Sequence, residues 1–217
     1  MGPYEEERIA QPGDDFHSIR QAVLRRPGMY LGDLEDGQAY GIVVADFVDN
    51  LLNWRIGANL SVELMPGNRV RISCRREPAD GVTEIPSHRP LQFVCRDFAV
   101  PGLLHLWYTI VACGHLCWEI RDRFGAGTAV FADGVCRSAS AEAPELPPDL
   151  CTRIDMTIGS DALPIAPASL AQVAGAARCV SGPADPTYWG CITIRDRRSG
   201  ETATVLATTP PRRFAPP

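Results

Sequence analysis

Apolar residues recur along the chain with two different periods. Between residues 39 and 54 they recur at intervals of three and four, which predicts an amphipathic helix with one buried face. Shorter helical patterns cover residues 17–24, with a stop at Pro27, and residues 166–177. A nearly continuous apolar run at residues 103–112 is interpreted as a buried helix. The helical part of the fold is therefore predicted to come from these four segments.

Other segments alternate apolar and polar residues, as strands with one buried face do. These segments are residues 60–64, 70–74, 116–122, 128–132, 152–158, 191–195 and 202–206. The first two flank a Pro-Gly-Asn turn and predict a hairpin. Proline, glycine and polar residues fill 75–90 and 138–148, which are predicted loops. We expect a flexible arm at residues 1–16, one α/β domain at 17–206 and a disordered proline-rich tail at 207–217.

Composition narrows the class of protein. The chain has 217 residues, 45% of them hydrophobic, enough for one buried core. Its net charge of −5 is spread along the sequence without a basic stripe, so stand-alone nucleic-acid binding is not expected. We find neither an apolar leader nor a run of about 18 apolar residues, which predicts a cytoplasmic protein with no membrane partner. The eight cysteines are then expected to be reduced thiols.

All 21 basic residues are arginine, and the sequence contains no lysine. No lysine is therefore present to neutralise a nucleotide γ-phosphate, to form a Schiff base or to act as a base with a lowered pKa.

Residues 19–50 read IRQAVLRRPGMYLGDLEDGQAYGIVVADFVDN. This segment, above all its RRPGMYLGD, resembles the opening of the ATPase domain of gyrase B and topoisomerase IV. The later segments DRFGAGTAVFADGV, TRIDMTIGSDALP and RDRRSGETATV resemble that family more weakly. The family belongs to the GHKL class, so the resemblance implies a two-layer α/β sandwich of the Bergerat type. Its mixed sheet would be covered by helices on one face.

The resemblance also implies roles for two residues of the long predicted helix. In such enzymes a glutamate polarises the attacking water, and an asparagine one turn later holds Mg²⁺; Asp46 and Asn50 occupy these places. Their spacing of four puts both on one helix face. Asp46 is thus the candidate catalytic residue and Asn50 the candidate cofactor and metal ligand. The alternative is that both belong to the solvated face of an amphipathic helix.

At the adenine end of the implied nucleotide pocket, the resemblance makes Thr152 a pocket residue. It does not decide which residue stands where the family has its adenine-binding aspartate. Continuing the strand by register places Cys74 and Arg75 there. A longer loop would instead bring Asp80 and Gly81 into place, before Ile85 and Pro86. Only the second option supplies a carboxylate for the adenine amine.

The family's glycine-rich lid, which cradles phosphates through backbone N–H groups, has no match here. In its place Pro101 and Gly102 precede bulky residues at 103–106. Together with the lack of lysine, this implies a pseudo-ATPase with weak or lost hydrolysis. We expect it to require no cofactor, or to bind ATP and Mg²⁺ weakly.

Two further features could carry chemistry. Cys113, His115 and Cys117 form a C-x-H-x-C cluster, but a Zn²⁺ site would need a distant fourth ligand because Cys113 is predicted at a helix end. A Cys–His nucleophile is another interpretation, and core thiols beside a surface histidine are a third. His105 is a candidate acid or base, although a lone histidine in an apolar run is more often a core residue.

These observations leave three functions open. One is a nucleotide-binding or weakly hydrolysing domain. Another is an enzyme of specialised metabolism that reuses the former ATP pocket for a small organic molecule. The third is a non-catalytic partner that mimics gyrase B and binds a gyrase subunit or a gyrase-directed antibiotic.

Overall fold

The computed structural model describes residues 14–53, 59–75, 104–122, 125–140, 144–180 and 190–207. Its helices are α1 (Asp14–Arg25), α2 (Pro27–Leu31), α3 (Gln38–Asn53), α4 (Leu104–Val111) and α5 (Leu170–Val180). Its strands are β1 (Asn59–Met65), β2 (Arg69–Arg75), β3 (Cys113–Asp122), β4 (Gly125–Ala132), β5 (Val135–Ser140), β6 (Leu150–Ile158), β7 (Gly190–Asp196) and β8 (Thr202–Ala207). None of these described helices has both the length and the apolar character needed to cross a membrane.

The strands form one mixed sheet in the order β5-β4-β3-β6-β2-β1-β7-β8. β1 and β2 form the predicted hairpin, and its turn contains Gly67 and Asn68, both with positive φ. β1 pairs parallel with β7, and the other neighbouring strands pair antiparallel. β6 and β2, which carry two of the candidate residues, are therefore adjacent in the middle of the sheet.

The two faces of the sheet differ in polarity. On one face, alternate residues of the central strands, such as Ile72 and Ile154, are buried in a single core with the helices. α3 contributes fully buried side chains to this core, including Phe47 and Leu51. Each side chain of this size contributes roughly 1.5–3 kcal/mol when it is fully buried. The opposite face carries partly exposed polar and charged residues, so the predicted two-layer α/β sandwich is confirmed.

A turn and a glycine fix the start of α3. The Oδ1 atom of Asp36 accepts the backbone N–H of Gln38 at 2.8 Å, which satisfies one unpaired donor at the helix N-terminus. Gly37 has φ +87°, and a Cβ there would lie 2.9 Å from the Cα of Ala168. Only glycine allows this close approach between the start of α3 and the segment before α5.

Most predicted elements are confirmed, with four main differences. α1 begins at Asp14, inside the predicted arm, and α2 forms where a stop was predicted at Pro27, since proline suits the first turn of a helix. α5 begins at Leu170 rather than at residue 166. β5 lies in part of the predicted loop. Residues 1–13 and 208–217, most of the predicted arm and tail, lie outside the described residues.

Candidate functional site

Asp46 and Asn50 lie one turn apart on α3, as the sequence predicts. Asn50 is only 6% exposed, and its Nδ2 donates a hydrogen bond to the backbone oxygen of Asp46 at 2.9 Å. Asp46 is partly buried, and among the described residues no group donates a hydrogen bond to its carboxylate. The amide is thus fixed by the helix itself, while the carboxylate is available to a ligand.

Burial shifts the protonation of Asp46. Desolvation, followed by the charge of Asp49 three residues later, raises the pKa of Asp46 from 3.8 to about 6. This carboxyl group therefore takes up a proton closer to neutral pH than an ordinary aspartate does. A carboxyl group with such a pKa is able both to accept and to donate a proton.

Thr152 lies on the buried face of β6 and uses its hydroxyl group twice. Its Oγ1 donates to the backbone oxygen of Glu119 at 2.7 Å and accepts the indole Nε1–H of Trp118 at 3.0 Å. The Trp118 ring in turn packs edge-to-face against Phe47 of α3, with ring centroids 6.4 Å apart. An aromatic pair therefore connects α3 to the threonine. The only sequence signal for this role of Trp118 is its inward position on β3.

Cys74 is the cross-strand neighbour of Thr152. The antiparallel register of β2 and β6 pairs these two residues directly, and an irregularity follows between Cys74 and Arg75. Cys74 is fully buried, and its backbone oxygen accepts the thiol of Cys151 at 3.4 Å. The strand register therefore places a thiol beside Thr152; Asp80 and Gly81, which the longer-loop option would bring here, lie outside the described residues.

The remaining predicted pocket residues cannot be placed in the same way. Asp80, Gly81, Ile85 and Pro86 lie outside the described residues, as do Pro101 and Gly102. His105 is the second residue of α4, and its side chain is outside the described part of the chain. The described part of the implied nucleotide site therefore consists of Asp46, Asn50, Cys74 and Thr152.

The structure corrects the position of Cys113, which is the first residue of β3 rather than the end of a helix. Its Sγ lies in the core, 3.3 Å from the backbone oxygen of Thr109, and burial raises its pKa to about 12. His115 is exposed, and burial followed by Glu119 raises the pKa of the Cys117 thiol. Neither thiol is activated as a nucleophile. Within the described ranges, no group of three or more His, Cys, Asp or Glu residues could hold a metal ion.

Comparison with known proteins identifies the fold. No protein-family model and no curated protein matches the sequence. Among solved structures, the chain is similar to the 43K ATPase domain of Thermus thermophilus gyrase B in complex with an aminocoumarin, with a TM-score of 0.59 and 15% sequence identity. The chain has a GHKL-type fold. The match covers 88% of this chain and 52% of that chain, so this protein spans about half the length of its neighbour. In this GHKL-type fold, Asp46 and Asn50 lie on α3 in the helical layer, and Thr152 lies on β6 in the sheet.

Proposed function

We propose that this chain is a gyrase-B-like GHKL domain with weak or lost ATP hydrolysis that keeps a ligand pocket at the implied nucleotide site. The ligand is an organic molecule less charged than a nucleoside triphosphate. The observation that supports this proposal is the pairing of Cys74 with Thr152: a buried thiol lies beside Thr152, at the place that continuing the strand implies for the adenine-binding carboxylate.

The residues at the adenine end of the implied site support the proposed loss of nucleotide affinity. An exocyclic amine needs a strong acceptor, and a thiol sulfur is a weak one. Thr152 is a poor replacement for the carboxylate, since its neutral hydroxyl already donates to Glu119 and accepts from Trp118, which leaves one uncharged lone pair. A buried amine left without an acceptor would cost about 1–3 kcal/mol of binding free energy.

The phosphate end supports a loss of catalysis. Asp46 is one methylene shorter than the glutamate of the family, so a water held by it would be displaced by about 1 Å, which can cost on the order of 100-fold in rate. The absence of lysine removes a further source of charge for the transferred phosphate.

The core beside the implied site is apolar and aromatic. Trp118 and Phe47 are buried between α3 and the sheet, where Phe47 follows Asp46 in sequence and Trp118 bonds to Thr152. Apolar surroundings with a few polar groups are typical of pockets for small organic molecules. The similar gyrase B domain was solved with an aminocoumarin, which makes that class the first probe and supports the antibiotic-binding alternative. Under the same alternative, a gyrase subunit is a partner to be tested by co-purification.

A second candidate function is a small-molecule enzyme that reuses this pocket. It is favoured by Asp46, whose carboxylate accepts no hydrogen bond from the described residues and whose pKa is raised by burial and Asp49 to about 6. General acid–base catalysis is most efficient when the pKa of the group lies near the working pH.

The test is a calorimetric titration and a thermal-shift assay with ATP, ADP or a non-hydrolysable ATP analogue in the presence of Mg²⁺, and with an aminocoumarin in parallel. We expect no saturable heat from any nucleotide up to about 1 mM, and a raised melting temperature with the aminocoumarin. The variants are Asp46→Ala and Asn50→Ala, and Asp161→Ala, at an exposed carboxylate, is the matched control.

Micromolar nucleotide binding that disappears in both site variants but survives in Asp161→Ala would show that the ancestral site is intact. The proposal would then be wrong. If neither nucleotide nor aminocoumarin binds, the assignment of an organic ligand to this pocket fails, while weak or lost ATP use still holds.

A further inference from the structure

The face of the sheet that lies opposite the helices contains a cavity of about 250 Å³. It lies between β1, β2, β3 and β6, and its lining includes Met65, Arg69, Arg71, His115, Asp155 and Thr157. The strand register explains why these side chains meet. His115, Thr157 and Arg69 are successive cross-strand neighbours, and Asp155 and Arg71 form the next row.

The carboxylates around this cavity are already neutralised by arginine. Asp155 accepts the Nε–H of Arg71 at 2.7 Å through Oδ1, and its Oδ2 lies 3.4 Å from the Nε of Arg153. Glu119 is bound by Arg153, and Glu63, the cross-strand neighbour of Arg71, is bound by Arg197. These three carboxylates are therefore already paired, and they do not neutralise the remaining positive charge of the arginines at the cavity.

Several hydrogen-bond donors that line the cavity have no acceptor among the described residues. Within the described ranges, Arg71 bonds only through Nε, and Arg69 bonds only through Nε to the backbone oxygen of Pro66 at 3.4 Å. The Nη groups of both guanidiniums therefore have no protein acceptor there. The same holds, in that part of the chain, for the hydroxyl of Thr157 and the imidazole of exposed His115. Arg69, Arg71 and Asp155 together carry an excess of positive charge. The donors of the two arginines lie in neighbouring cross-strand rows.

We propose that this cavity binds a small oxyanion, either a carboxylate or a phosphate, through the Nη groups of Arg69 and Arg71. Paired N–H donors of a guanidinium match the oxygen spacing of both anions. Met65 supplies an apolar wall for a short hydrocarbon part of the ligand. The volume is below the roughly 300–1,000 Å³ of pockets for drug-sized ligands, so the ligand is small. This site lies on the other face of the sheet from the implied nucleotide site and does not depend on the proposed function.

The test uses the full chain, with benzoate and inorganic phosphate as probes and benzamide as the uncharged analogue of benzoate. Ionic strength is held constant with chloride, because exposed charges are screened by salt. The readout is the nuclear magnetic resonance shift of the His115 imidazole and of the β2 and β6 amides. We expect saturable shifts with at least one oxyanion below about 10 mM, and none with benzamide.

The variants separate the proposed contacts from general charge. Arg69→Gln, at an exposed position outside the ion pairs, is expected to weaken oxyanion binding about tenfold, and Arg71→Gln at least as much. Arg137→Gln is the matched control, since Arg137 is an exposed arginine on β5, four strands away from β2. The affinity of this control should equal that of the wild type.

Binding of either benzoate or phosphate that weakens in Arg69→Gln and not in Arg137→Gln supports the site and identifies the anion. No saturable shift with either anion would overturn it. Equal weakening in all three variants would also overturn it, because the anion would then respond only to net charge.

Discussion

At the scale of single residues, Asp46 shows how the fold changes the chemistry of a side chain. The helix places it next to Asn50, and partial burial removes water from its carboxylate without supplying a hydrogen-bond donor from the described residues. Burial, and after it the charge of Asp49, raises its pKa to about 6. A group with this environment is a cost to stability when ionised.

This cost gives a prediction for Asp46→Asn. The folded protein holds the Asp46 proton more tightly than the unfolded chain. Protonation of Asp46 therefore stabilises the fold, and this stabilisation is fully present below about pH 4 and is lost as pH rises through about 6. Asparagine avoids the charge, so the variant should be more stable than the wild type at pH 8 by about 1–2 kcal/mol, after allowance for solvent screening. The gain should vanish below about pH 4.

The measurement is urea unfolding of both proteins across this pH range, with Asp161→Asn as the control for loss of an exposed carboxylate. A stability difference that is the same at pH 8 and below about pH 4 would contradict the raised pKa.

At the scale of elements, α5 begins where its capping residues are and not where the apolar pattern begins. Ser169 and Gln172 form a reciprocal pair: the Ser169 Oγ accepts the Gln172 N–H at 3.3 Å, and the Gln172 Oε1 accepts the Ser169 N–H at 2.9 Å. This is a capping box, and Pro167 just before it is outside the helix. The Gln172 side chain also donates to the backbone oxygen of Asp36 at 2.6 Å, which connects α5 to the start of α3.

Removal of this cap should be measurable. Ser169→Ala is expected to lower the free energy of unfolding by about 1 kcal/mol, because an unpaired N–H group is left at the helix N-terminus. The comparison is urea unfolding against Ser138→Ala, a change at an exposed position of β5. Equal stability of the two variants would show that the cap contributes nothing.

The same elements show what the sequence can and cannot predict. α3 and the β1–β2 hairpin are predicted closely, since periodic apolar residues and turn residues act locally. β5 is missed because it is an edge strand of small and polar residues, whose pairing with β4 depends on the tertiary fold. For the site, the spacing of Asp46 and Asn50 is local and therefore predictable. The pairing of Cys74 with Thr152 and the Trp118 bond depend on strand register, which the sequence leaves open.

At the scale of the whole molecule, one sandwich offers two different surfaces. Its helix-covered side has the GHKL-type arrangement and holds Asp46, Asn50, Cys74 and Thr152. Its open face holds a cavity in which arginine donors exceed the carboxylates that pair with them. The similarity to a gyrase B ATPase domain extends over 88% of the chain, at 15% identity. Fold and chemistry can therefore diverge here, since a fold alone does not determine the activity of its site.

The most direct test of weak or lost ATP hydrolysis is the rate of phosphate release from ATP and Mg²⁺, measured for the wild type and for Asp46→Ala. We expect the two rates to be equal within error, because a carboxylate displaced by about 1 Å activates water poorly. A wild-type rate that Asp46→Ala lowers by about 100-fold or more would contradict the account, since Asp46 would then be a working catalytic base.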